Sequence, residues 1–199
     1  NFMDWSIGAL LKNLKETNRY DNTLIVVVGD HGEQFGENGA SGHGQHLYQG
    51  SVHVPFFVKF PLGEVPAAVR REFVQPTEIE PLILDRLGLQ IPPGVQGSRL
   101  DAITHPILAE EYPGANEPGQ TGHWKMLVKN DTKFLHNSLG NHALYDLKND
   151  PKETTNLFGG QDDRGPVMMA ELVQLFDSLP RPAGSPAPIQ IDSKTREEL

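Results

Sequence analysis

The sequence predicts an α/β fold. Part of a mixed sheet flanked by helices leads into a small C-terminal antiparallel sheet with one helix packed on it. Three observations point there. Thr23-Leu24-Ile25-Val26-Val27-Val28 is an apolar, mostly β-branched run that stops at Gly29-Asp30-His31-Gly32, and such a run reads as a strand buried on both faces. A helical apolar stripe precedes it, and helix, short turn, strand is an α/β arrangement. Beyond Ile91-Pro92-Pro93-Gly94 and Gly97, four short segments separated by Gly, Asn and Asp predict antiparallel strands.

In chain order, residues 2–17 carry Met3, Ile7, Leu10, Leu11 and Leu14 on one helical face that should pack on the sheet. A polar turn at 18–22 leads into the apolar run. Residues 32–50 are glycine-rich and lack apolar periodicity, which predicts an ordered functional loop. Residues 52–60 read as a second strand closed by Pro61, and 66–71 as a short helix. Thr77 and Glu80 have the spacing of a capping box, ahead of the stripe Ile79, Leu82, Ile83 and Leu87 that ends at Gly88. The antiparallel strands are expected at 106–110, 124–129, 132–136 and 143–147. Residues 164–179 form an amphipathic pattern with Pro166 in its first turn and Pro180 as its stop. This divides the chain into an α/β part (1–98), a small antiparallel part (99–180) and an extended, partly mobile tail (181–199), with four prolines within the nine positions from Pro180 to Pro188.

Composition narrows the function classes. The 199 residues carry a net charge of −9 and no basic cluster, which argues against a nucleic-acid surface. No cysteine is present, so neither disulfides nor thiolate metal sites arise within these residues. No apolar run approaches the ~20 residues that span a bilayer, and no signal peptide is visible.

Asp30 and His31 fall just past the carboxyl end of the predicted strand, where open α/β sheets hold their ligands. A carboxylate next to an imidazole can supply two metal ligands. An Asp-His-Gly turn can equally just cap the strand, and the three residues alone leave both readings open.

The longer succession favours the metal. Asp30-His31-Gly32-Glu33 is followed by Phe35-Gly36-Glu37-Asn38-Gly39, Ser41-Gly42-His43-Gly44-Gln45-His46-Leu47-Tyr48 and Val52-His53-Val54-Pro55-Phe56-Phe57-Val58. Far downstream come Leu144-Tyr145-Asp146-Leu147, Asp150-Pro151, Glu153 and Asn156-Leu157, then Ile189 to Leu199. Together these resemble the C-terminal portion of a sulfatase of the alkaline-phosphatase-like superfamily, over nearly the whole chain.

That resemblance implies a sulfuric ester hydrolase whose bound divalent cation neutralises oxyanions of the transferred group. Asp30 and His31 match a pair of metal ligands. Calcium is the first expectation. Many members have Asn in place of His31, and an imidazole suits zinc or manganese at least as well. His43 matches a basic residue that contacts the sulfate, and between Gly42 and Gly44 it could donate to that anion or to the leaving oxygen. His46, His53 and Tyr48 read as structural, as do Glu78 and the turn carboxylates Asp146, Asp150 and Glu153. His105, His123, His136 and His142 lack ligand spacing, and only His123 is a candidate for reaching the substrate pocket.

The nucleophile segment of the resembling enzymes, Cys-or-Ser-x-Pro-x-Arg, has no match in these residues, nor has their N-terminal pair of Asp ligands. The expectation is therefore a C-terminal portion carrying half of a metal site, silent in isolation and completed by the N-terminal half of the same enzyme. Its partner would be a sulfate ester, either a small molecule or a glycan. The resemblance tilts the compartment toward periplasmic or secreted. Two other readings stay in play: a phosphatase, phosphodiesterase or phosphoglycerol transferase of the same superfamily, and a non-catalytic binding domain.

Overall fold

The structure, a computed structural model, describes residues 2–112 and 122–179. The tail read as extended from the sequence, 181–199, lies outside these residues. Helix α1 spans Phe2–Glu16, with Asp4 in its first turn and Lys15 in its last, charges that suit the two ends of a helix dipole. It ends where Asn18 takes a left-handed conformation (φ 53°) and the Arg19 and Tyr20 amides return to the Leu14 carbonyl at 2.8 and 3.0 Å.

Strand β1 (Ile25–Val28) comes next, followed by a miniature hairpin of β2 (Gln34–Phe35) and β3 (Ser41–Gly42), a one-turn helix α2 (Gln49–Val52) and β4 (Phe56–Lys59). β1 and β4 pair antiparallel, Ile25 opposite Lys59 and Val28 opposite Phe56. The Lys59 ammonium fixes the turn before β1 by donating to the carbonyls of Tyr20, Asp21 (3.0 Å) and Thr23 (3.1 Å).

Several expectations are corrected here. Residues of β1 are half-buried rather than enclosed, and among the described residues β1 has β4 as its one strand partner. α1 contributes no buried residue: Ile7, Leu11 and Leu14 are half-buried, while Met3 and Leu10 stay exposed. A two-stranded ribbon offers too little surface to cover a helix face. The second strand begins at Phe56, not 52, because the chain first makes α2 and Pro55 has no N–H for a ladder. Residues 66–71 form no helix. Val69, Arg70 and Arg71 are exposed there, so nothing buries an apolar face.

Helix α3 (Ile79–Arg86) continues a 3-10 turn at Pro76–Glu78. Its capping box lies two residues earlier than the sequence suggested. The Gln75 amide donates to Glu78 Oε2 at 2.7 Å, and the Glu78 amide returns to the Gln75 carbonyl at 3.1 Å. Glu78 is fully buried, with His105 Nε2 2.9 Å from its other oxygen.

The remaining elements follow the sequence closely. β5 (Ile107–Glu111), β6 (Trp124–Lys129), β7 (Thr132–Asn137) and β8 (Ala143–Asp146) form an antiparallel sheet in chain order, and α4 (Arg164–Ser178) packs on it. The sheet is covered on both faces. Leu127, Phe134 and Leu144 meet Met168, Met169 and Leu172 of α4. On the other face, Trp124, Met126, Val128, Leu135, Ala143 and Tyr145 enclose Leu47, with Tyr48 and Val52 packed alongside. Burying each large side chain contributes about 1.5–3 kcal/mol. The loop after β1 is thus held against the sheet by its own apolar residues.

Candidate metal and anion site

Asp30 and His31 follow β1 directly, and two glycines tie the pair to the segment that begins at α2. The Gly29 amide donates to the Pro55 carbonyl at 3.1 Å, and the Gly32 amide to the Ser51 carbonyl at 2.7 Å. Gly32 has no alternative residue, since a Cβ there would collide with the Gly50 carbonyl oxygen.

The Asp30 carboxylate is 90% exposed. The His31 amide donates to its Oδ1 at 3.0 Å and, with Asp30's own amide and the nearby imidazole, holds the carboxyl below its ordinary range. His31 Nδ1 lies 2.9 Å from the Gly32 carbonyl. A carbonyl only accepts, so Nδ1 carries the hydrogen and Nε2 keeps its lone pair. That lone pair lies 3.8 Å from Asp30 Oδ2.

His43 reaches the same place from the hairpin. Gln34 pairs with Gly42 and Phe35 with Ser41, so continuing the register sets Glu33 opposite His43. His43 Nδ1 lies 3.2 Å from Glu33 Oε2, and its ring stacks on His31 with centroids 3.9 Å apart and planes at 28°. Gly42 (φ 81°) and Gly44 (φ 76°) on either side adopt conformations that side chains disfavour. The structure therefore brings together Asp30, His31, Glu33 and His43.

The donor set suits a divalent cation. Two ligands on one ion with bonds of ~2.0–2.5 Å stand roughly 3–3.5 Å apart, and the exposed Asp30 side chain needs only a small rotation to close from 3.8 Å. Among the described residues, no third His, Cys, Asp or Glu joins the two in a cluster that could hold an ion.

Other histidines lie elsewhere. His46 is half-buried, its ring 5.4 Å from Tyr48 and 5.6 Å from Trp124, and burial lowers its pKa. His53 is exposed at the end of α2. His123 packs edge-on to Tyr112 at 4.9 Å. His136 and His142 lie with ring centroids 4.8 Å apart against the sheet. Asp146 accepts from Lys148, Asn149 and the Asn149 side chain, and Asp150 from Thr154 and Thr155, which is turn chemistry. Glu153 differs: it lies buried 2.6 Å from Lys133 Nζ.

Two features of the structure go beyond the expectations from sequence. Glu33 stands in the Asp-His-Gly-Glu run, but its pairing with His43 needs the hairpin register. Lys133 has a local signal, a lysine inside the stretch Thr132-Lys133-Phe134-Leu135.

Comparison with known proteins finds sulfatases. Residues 1–89, which include Asp30, His31 and His43, match the sulfatase family model. An arylsulfatase of Clostridium perfringens is 29% identical over 166 residues, 80% of this chain and 34% of that protein. Among solved structures, BT4656 in complex with its substrate D-glucosamine-2-N,6-O-disulfate superposes with a TM-score of 0.73 at 24% identity, over 87% of this chain and 37% of that one. A phosphonate monoester hydrolase of Agrobacterium radiobacter superposes with a TM-score of 0.68 at 25% identity, over 87% and 38%. The chain spans about a third of the length of the curated relatives it matches. This chain is thus similar in sequence to sulfatases and similar in fold to solved sulfatase structures, over about a third of their length.

Proposed function

We propose that the protein is a metal-dependent sulfatase in which Asp30 and His31 hold a divalent cation and His43 addresses the sulfate ester. The supporting observation is the stack of His31 on His43 beside the exposed Asp30 carboxylate. Asp30 carries a full negative charge at neutral pH, because backbone amides stabilise its ionised form. His31 presents the Nε2 lone pair. A bound cation would supply charge neutralisation for the oxyanions of the transferred group, with calcium the first candidate and zinc or manganese compatible with an imidazole ligand. Glu33 orients His43 through Nδ1, which leaves Nε2 to donate to the sulfate or to the leaving oxygen when protonated.

The nucleophile and the remaining ligands are proposed to come from sequence outside these 199 residues, so the 199-residue chain alone is expected to be silent. The test is metal content and aryl sulfate turnover of the complete enzyme with Asp30→Ala. Loss of both is expected. Retention of metal and turnover would overturn the assignment.

A second reading is a phosphoryl- or phosphonyl-ester hydrolase on the same site, favoured by the likeness to the phosphonate monoester hydrolase. Turnover of aryl phosphonates far above aryl sulfates would select it.

A further inference from the structure

The contacts behind the Asp30-His31 pair lead away from it, into the antiparallel sheet. Lys133 and Glu153 are both fully buried, with 0% and 1% of their side chains exposed, and lie 2.6 Å apart. Burial pushes the Lys133 ammonium down to about 8 against the opposing pull of Glu153. A buried ion pair of this kind is weak support for stability in itself, because desolvation offsets its attraction. It matters more what else the two side chains hold.

Both converge on Gln49, the first residue of α2. Glu153 Oε2 accepts the Gln49 amide at 2.6 Å, and Lys133 Nζ donates to Gln49 Oε1 at 3.2 Å. Glu153 adopts a left-handed conformation (φ 56°), unusual for a residue with a side chain, where it makes these contacts. α2 in turn positions the strand end: the Ser51 carbonyl accepts the Gly32 amide at 2.7 Å, and the Gly50 carbonyl lies so close to Gly32 that a Cβ there has no room. A continuous path of short contacts therefore runs from the buried pair through one helical turn to the residue after His31.

We infer that Lys133 and Glu153 are positioning residues for the Asp30-His31 site, acting through α2. They touch neither ligand. The inference rests on the site reading given above and adds to it the part of the fold that orients the pair. Partners that orient metal ligands typically contribute 10–100-fold to metal affinity.

The experiment titrates the full protein with Ca2+ and, separately, with Mn2+, following the Asp30 and His31 amide resonances by NMR. It also measures hydrogen exchange of the Gly32 amide without metal. Lys133→Met combined with Glu153→Leu replaces the pair by apolar groups of similar size, a change that folds tolerate. Gln49→Pro removes the amide that donates to Glu153 and the side-chain oxygen that accepts from Lys133 while keeping the helix start, since proline is favoured at a first helical position and Tyr48 before it is already extended (φ −67°, ψ 160°). Both variants are expected to raise the metal midpoint 10–100-fold and to speed Gly32 exchange, with the far-ultraviolet spectrum unchanged. If the double variant does not fold, Gln49→Pro decides. Wild-type midpoints and exchange rates in a folded variant would overturn the inference alone. Wild-type protein whose Asp30 and His31 resonances ignore both metals would overturn the site reading, and the inference with it.

Discussion

The β1–β4 ribbon and the β5–β8 sheet contain similar apolar runs, yet they bury them very differently. Leu127, Phe134, Leu135 and Leu144 in the sheet are completely enclosed. Ile25 to Val28 in β1 are half-buried, and Phe57 in β4 is 65% exposed. The groups with candidate chemistry sit on the less buried ribbon. Their anchorage comes from the more buried sheet, through Leu47, Tyr48 and Gln49. Reactive groups need access, whereas orientation needs rigidity, and here the two requirements are met by different regions joined by one short helix.

The largest expected effects lie in the sheet. Phe134→Ala should cost about 3–5 kcal/mol of unfolding free energy, whereas Val27→Ala in β1 should cost roughly 1 kcal/mol because its side chain is already partly solvated. Denaturant unfolding of the two variants checks this. Equal costs would mean that the ribbon is as tightly held as the sheet. Lys133→Ala should fall in the upper range, about 3–5 kcal/mol, because it strands the Glu153 carboxylate in the interior.

Acid should destabilise the sheet side. Burial pushes the His136 imidazole down to about 4 and also lowers His46 and His142. An imidazole held below its ordinary value binds its proton first in the unfolded chain. Stability is therefore fully present above about pH 6.5 and declines as pH falls toward 4. For His136 the loss is on the order of 1–3 kcal/mol. Unfolding midpoints at pH 7 and pH 5 should differ in that direction, and His136→Gln should reduce the difference. A pH-independent midpoint would contradict the burial of these rings.

The same contrast explains what could be read from the sequence. The sheet was legible because Trp124 to Lys129 and Thr132 to Asn137 are short apolar segments, imperfect in their alternation, with Asn130-Asp131 marking the turn between them. α4 was legible from its apolar period. The ribbon was less so. Residues 52–60 read as one strand, whereas packing of Leu47, Tyr48 and Val52 on the sheet goes with a turn of helix before Pro55. The capping box shifted because Gln75, not Thr77, is placed to bond Leu108 on β5 as well. Asp30, His31 and His43 could be singled out by their succession, but Glu33 opposite His43 and Glu153 against Lys133 are pairings of register and fold, which no local spacing encodes.

The smallest structural change with the most direct bearing on the proposed chemistry is His43→Ala. Its ring lies on the exposed side of the comparison, half-exposed and outside both cores, so stability should hardly change. The decisive measurement is turnover and metal content of the complete enzyme carrying that substitution, side by side with wild type. Removing one donor to a transferring anion costs about 10²–10³ in kcat, and the account predicts that loss with metal content unchanged. Loss of the metal would make His43 a ligand, and unchanged kcat and metal content would leave it an ordinary loop histidine; either result contradicts the account.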